Sequence, residues 1–235
     1  MHNESSRTAV LVWDLPLRVF HWVLAGSFVG AFLTAESERW RDVHVVLGYT
    51  VLAMVAFRLL WGVFGTRYAR FSALSLSPRR ALAYLRSLLS RRPEHHVGHN
   101  PAGSVAIYAL LALAAGTALT GLAAFADGGG KWLGELHEGV ANAMLAMVIV
   151  HIAGVVVGSL AHRENLAAGM LTGRKRAAPG AGISQPRRFV AATLIGLVVG
   201  FWTGLIPTPG LELQQTLISI TSPAHAGVHA GRHDD

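Results

Sequence analysis

The chain has 235 residues, 52% of them hydrophobic and only 14% charged, with a formal net charge of +7 and no cysteine. Soluble domains carry about a quarter charged residues, so this composition points to a membrane, and the lack of cysteine excludes disulfides, cysteine-ligated iron–sulfur clusters and thioether-attached haem. The positive charge gathers in two hydrophilic loops, not on an aromatic-interleaved face, which argues for membrane lipid and against nucleic acid as a partner.

Five apolar stretches have the length needed to span a bilayer, about 17 to 25 residues. In chain order they cover residues 17–35, 43–64, 103–126, 136–161 and 189–206. Lipid offers the backbone no hydrogen bonds, so the expected class is all-α. The runs are continuously apolar and do not alternate, which argues against a β-barrel. No cleavable signal peptide is expected, since the first run follows a polar start and lacks a small-residue cleavage pattern. Between the second and third runs, Ser77 as N-cap and Pro78 at the first position open an arginine-bearing segment with apolar residues at helical spacing. It reads as a short amphipathic helix on the membrane surface. The expected organisation is therefore a domain over residues 1–172, a basic linker over 173–188, a fifth transmembrane helix over 189–206 and a flexible His-containing tail over 207–235.

Lysine and arginine in the loops orient the spans. Arg7 and Arg18 lie before or at the very start of the first span, seven lie between residues 65 and 102, and six lie between 162 and 188. Against these fifteen the opposite side carries four, Arg39, Arg41, Lys131 and Arg232, while Arg58 lies inside the second span. The N-terminus is expected in the cytoplasm and the C-terminus in the periplasm of a bacterial inner membrane.

Four histidines lie in the spans. His137 and His151 are fourteen residues apart in the fourth, which puts them on one helix face about 40° apart in rotation and about 21 Å apart along the axis. His21 is near the start of the first span and His44 near the start of the second. An imidazole without a partner in hydrocarbon is costly. Matching by depth pairs His44 with His137 on the periplasmic side and His21 with His151 on the cytoplasmic side, as axial ligands of two haem irons. A zinc or nickel site fits less well, because such sites gather three or four ligands at one depth.

The residues that carry these histidines resemble the bacterial cytochrome b561 family and the related b-type cytochrome subunits of nickel–iron hydrogenases. Trp13-Asp14-Leu15-Pro16-Leu17-Arg18-Val19-Phe20-His21-Trp22 looks like the family's W-D-x-P-x-R-x-x-H-W signature. His44 followed by Gly48 and Arg58, His99-Asn100-Pro101 before Gly103, and Leu136-His137-Glu138 ahead of His151 are also similar to the family's patterns. The resemblance covers about residues 10–176. It implies a transmembrane four-helix bundle holding two haem b groups on His21, His44, His137 and His151, with a fifth C-terminal transmembrane helix outside the pattern. It also implies electron transfer between the quinone pool and a protein redox partner, a periplasmic cytochrome c or a membrane-associated oxidoreductase such as hydrogenase.

Other residues admit two readings. Arg18 is either topological punctuation or a haem-propionate partner, and Arg58 either snorkels to the surface or pairs with a propionate, since guanidinium matches carboxylate geometry. His99 and Asn100 either cap the third span or border a quinone pocket. His95 and His96 read as solvated loop residues, and His162 and Glu138 as helix-end residues suited to the helix dipole. Gly48 and Gly154, each about one turn from a histidine, are candidates for clearance beside a macrocycle. Trp13, Trp22, Trp40 and Trp132 need only the interfacial aromatic belt. His225, His229 and His233 recur every four residues in the tail and suggest either a metal-binding or a disordered end. Two other functions compete with electron transfer, a membrane anchor that docks a soluble redox enzyme and a cation transporter. No Asp or Glu lies deep in a span, which weakens transport.

Overall fold

The computed structural model describes residues 8–88, 94–126 and 130–211. The His-containing tail after residue 211 lies outside them. Strand β1 (Thr8–Leu11) leads into helix α1 (Leu15–Thr34), followed by α2 (Arg41–Phe64), α3 (Pro78–Leu88), α4 (Pro101–Ala126), α5 (Lys131–His162), α6 (Leu166–Thr172), strand β2 (Arg174–Ala177) and α7 (Arg188–Trp202). Among the described residues four helical stretches are long and apolar enough to cross a membrane: Leu15–Thr34, Glu38–Phe64 (a 3-10 turn, Glu38–Trp40, continued by α2), Pro101–Ala126 and Lys131–His162, with mean hydropathies of 1.4, 1.9, 1.9 and 2.3. The expected all-α bundle is present, with α1 packed on α2, α2 on α4 and α4 on α5.

The helix starts follow local chemistry. Asp14 caps α1 by accepting from Leu17 N at 2.8 Å, with Pro16 in the first turn. Asn100 caps α4 by accepting from Gly103 N at 2.7 Å, and Asn165 caps α6 through Ala168 N at 2.9 Å. Ser77 Oγ accepts from Arg80 N at 3.3 Å at the start of α3, as the sequence predicts. That helix buries Ala81 and Tyr84 and packs along α4, leaving Leu82 and Leu85 exposed.

Two features depart from the sequence-based expectations. Within the stretch read as a linker, β2 pairs antiparallel with β1 in the register Thr8↔Ala177 to Leu11↔Arg174. This small sheet marks one end of the bundle, called here the sheet end, where α1 and α4 begin and α2 and α5 finish. Gly173 makes the turn into β2 at φ +78°, and a Cβ there would lie 2.7 Å from the Trp13 carbonyl oxygen, so glycine is needed on both counts. The second departure is α7, which has 15 residues and therefore a length of about 22 Å, short of the roughly 30 Å hydrocarbon core. Leu194 and Val198 are buried with α1 and α2 residues, and Trp202 Nε1 donates to Thr50 Oγ1 at 3.0 Å, part-way along α2. The chain turns at Gly204 (φ +76°) and reaches Gly210 beside Phe125, near the last turn of α4. The fifth element is thus a short helix followed by an irregular segment containing Pro207 and Pro209, not one helix over 189–206.

Two buried apolar clusters hold the bundle. One surrounds Trp13, Phe20, Met54 and Leu111 near the sheet end, and the other joins Phe28, Val51, Ala114 and Met144 deeper in the bundle. Leu33, Leu60, Phe64, Ile149 and Leu160 point outward and are more than half exposed. In water such a surface would be unfavourable, and in hydrocarbon it costs nothing.

Candidate metal centres

At the end of the bundle away from the sheet, the far end, α2 and α5 both begin. His44 and His137 face each other there with ring centroids 6.1 Å apart and planes at 90°. His44 Nδ1 lies 2.8 Å from the Ala31 carbonyl oxygen, and His137 Nδ1 lies 2.9 Å from that of Thr117. A carbonyl oxygen can only accept, so in both rings Nδ1 carries the proton and Nε2 keeps its lone pair. Thr120 Oγ1 adds a contact to His137 Nδ1 at 3.3 Å. Gly121 makes room for this ring, since a Cβ there would lie 2.8 Å from His137 Cε1. A Cβ at Gly48, one turn from His44, would meet no atom within 4 Å, which leaves clearance beside the imidazole.

Such a pair suits a metal between two neutral imidazoles. Bonds of about 2 Å from each nitrogen set two ring centres roughly 6 Å apart, and a backbone carbonyl on the other nitrogen is the usual way a ligating histidine is oriented. Among the described residues no group of three or more His, Asp, Glu or Cys side chains could hold a bare metal ion. Two-histidine ligation of a haem iron is compatible with that, because the macrocycle supplies the other four donors.

His21 on α1 and His151 on α5 form the second pair, near the sheet end and within electrostatic reach of one another. His21 Nδ1 is buried and has no hydrogen-bond partner, and its ring meets Trp22 edge-on at 5.0 Å. The structure thus places the His44 ring beside that of His137, and His21 within electrostatic reach of His151.

The arginines separate. Arg18 is half-buried, and its Nε donates to the Met170 carbonyl at 3.4 Å, tying α1 to α6. Arg58 is 2% exposed, and neither Nη1 nor Nη2 has a partner. Its guanidinium lies 4.7 Å over the Phe71 ring, which packs against Gly62 so closely that any Cβ there would collide with it. Snorkelling to the surface does not describe this side chain.

His99 sits in the loop before α4, its ring centroid 4.4 Å from that of Trp13 and its Nδ1 buried without a partner. Burial, followed by Arg58 and Lys175 and then His151 and His21, pushes it down to about 3, so it is neutral. Asn100 carries out the capping, and His99 instead lines a cleft of about 630 Å³ with Arg67, Tyr68, Arg70 and His96. Tyr84 Oη and His162 Nε2 lie 2.9 Å apart, and the His95 ring stands 4.6 Å from that of His162. His95 and His162 thus form part of a side-chain cluster at the sheet end.

Two residues had more structural work than their sequence signals suggested. Asp14 is fully buried and accepts from Leu17 N, from Trp61 Nε1 at 3.1 and 3.2 Å, and from Thr66 Oγ1. Trp13 is 6% exposed in the core against Tyr68 and His99, not in an interfacial belt. Trp22, Trp40 and Trp132 are about half exposed or more, as a belt requires.

A family profile described as prokaryotic cytochrome b561 matches residues 12–173, which include all four histidines. The chain belongs to that family. It is therefore a multi-pass membrane cytochrome of b type, a class that carries haem b and works in electron transfer. Similar proteins include one of Azotobacter vinelandii named "Probable Ni/Fe-hydrogenase B-type cytochrome subunit", 31% identical over 153 residues, which are 53% of this chain and 63% of the relative. Proteins of the same name from Rhizobium leguminosarum bv. viciae and Rhodobacter capsulatus are 24% and 26% identical, covering 74% and 72% of this chain and 92% and 82% of their own lengths. The match to the Azotobacter relatives thus spans just under two thirds of their length. No solved structure matches the chain.

Proposed function

We propose that the protein is a di-haem electron carrier that passes electrons across the bacterial inner membrane between the quinone pool and a protein redox partner. In this reading His44 and His137 hold one haem b and His21 and His151 the other. The single observation that carries it is the far-end pair, two facing imidazoles whose protons are committed to backbone carbonyls and whose Nε2 lone pairs are free. Two histidines on one haem iron would leave no open site for substrate, which would favour electron transfer over chemistry at the iron. The chain's own part is to orient the rings, to exclude water with the two apolar clusters, and to keep the pairs about 21 Å apart along α5.

The loop charges support an N-terminus in the cytoplasm, with the sheet end on that side and the far end on the periplasmic side. The names of the similar proteins favour a hydrogenase as the partner and support docking as a second role of the same chain. Arg58 is the better propionate partner of the two arginines, because Arg18 is engaged with α6. Purified protein should hold two haems per chain, and quinol alone should reduce its visible cytochrome bands. One haem or none per chain would sink the di-haem reading, and reduction only in the presence of a partner would sink the quinone assignment.

A further inference from the structure

On α2, His44 and Arg58 stand fourteen residues apart, the interval that separates His137 from His151 on α5. That interval leaves two helix positions about 40° apart in rotation and about 21 Å apart in depth. Arg58 therefore occupies on α2 the depth that His151 occupies on α5, and its burial directs it into the bundle. Its neighbours agree, since Arg58 acts on His99, which in turn lies within reach of His21 and His151. The His21/His151 pair thus has a buried cation at its level.

Among the described residues no protein carboxylate is paired with Arg58. Asp14 is the acid that acts on it, but the Asp14 oxygens already accept from Leu17 N, Trp61 Nε1 and Thr66 Oγ1. Lys175 adds a second, partly buried cation, with Nζ donating to the His96 carbonyl at 3.2 Å. At the far end the charges are exposed and mixed. Arg41 stands beside Asp42, and Lys131 pairs with Glu135 at 3.7 Å.

We propose that Arg58, with Lys175 behind it, makes the His21/His151 centre the stronger electron acceptor of the two, so that an electron entering at His44/His137 is drawn toward the sheet end. An added electron makes a centre more negative, and a fixed buried cation stabilises that state. A unit charge about 10 Å away in a protein interior shifts such an equilibrium by about tenfold. The transfer itself balances simply: one electron leaves the far-end centre, which is oxidised, and enters the sheet-end centre, which is reduced, with no bond broken and no proton required. The inference rests on the di-haem reading and adds a direction to it.

The test is a potentiometric titration of the visible cytochrome bands in the purified holoprotein, with haem content measured on the same samples. Wild type should show two midpoints, and His44→Ala should remove the lower one. In Arg58→Gln the higher midpoint should fall by about tenfold in equilibrium constant, about 59 mV for one electron, with the lower one unmoved. Arg58→Lys should restore most of the shift, and Lys175→Gln should give a smaller fall in the same direction, which keeps the test open if Arg58→Gln does not assemble. One haem per wild-type chain would overturn the di-haem reading together with this inference. Two haems with the higher midpoint lost in His44→Ala, or with neither charge variant moving it, would overturn the inference alone.

Discussion

The His44 and His137 imidazoles meet at right angles with centroids 6.1 Å apart, each held through Nδ1 by a carbonyl of a different neighbouring helix. Neither ring can turn away without giving up a hydrogen bond in a medium that offers no replacement. The pair is therefore preorganised, and it is independent of the pair about 21 Å below it. Replacing His44 by Ala should remove one haem and leave the other, halving the haem-to-protein ratio while the remaining absorption band keeps its shape. Replacing His151 should remove the complementary spectral component. Loss of both haems from either single variant, in protein that still folds, would contradict the separate pairing.

Gly121 offers a test that leaves every histidine in place. A Cβ at this position would lie 2.8 Å from His137 Cε1, so Gly121→Ala should displace the ring from the Thr117 carbonyl. Disturbing the groups that orient a ligand typically costs about 10- to 100-fold in affinity. The far-end haem should dissociate at least about tenfold more readily, measured by transfer to a haem acceptor, while the sheet-end haem is unaffected. Gly134→Ala, which would meet nothing within 4 Å, serves as the control on the same side of the membrane.

Much of this was legible in the sequence because hydropathy and helical period are linear signals. The four long spans, the α3 cap at Ser77 and the nearness of His44 to His137 all follow from residue order and a fixed rise per residue. What was not legible depends on packing between distant segments. Nothing local marks Thr8–Leu11 as a strand until Arg174–Ala177 is beside it. Trp13 looks like any interfacial tryptophan, and only its contacts with Tyr68 and His99 reveal a core residue. Hydropathy extends the fifth helix to Ile206, but the chain leaves helical geometry at Thr203 and Gly204, ahead of Pro207. Thr117 acts through its carbonyl, a group every residue has, so no side-chain signal could have singled it out.

His99 makes the fold acid-sensitive. An exposed histidine titrates near 6.5, whereas burial and the neighbouring cations push this one down to about 3. Between those values the unfolded chain binds a proton that the folded chain does not, so the stability His99 contributes is present above about pH 6.5 and is lost as pH falls. The slope is up to about 1.4 kcal/mol per pH unit. Substituting His99→Gln should flatten the dependence of thermal stability on pH between about 6.5 and 4 relative to wild type. Parallel curves for the two proteins would show that His99 is not the group responsible.

Asp14 ties the start of α1 to the end of α2 through Leu17 N, Trp61 Nε1 and Thr66 Oγ1. That link fixes the register in which His21 on α1 and Arg58 on α2 sit at the same end of the bundle. Removing the carboxylate leaves three donors in a buried site, at a cost of about 1–3 kcal/mol for each one left unsatisfied. Asp14→Ala should therefore lower the unfolding temperature of the holoprotein by several degrees. Asp14→Asn keeps one acceptor oxygen, which cannot serve the cap, Trp61 and Thr66 together, and should fall between Ala and wild type. The sheet-end haem should become the more weakly held of the two in Asp14→Ala, because His21 lies only about two turns beyond the cap. Equal loosening of both haems would mean that Asp14 supports the bundle as a whole and does not set the α1–α2 register.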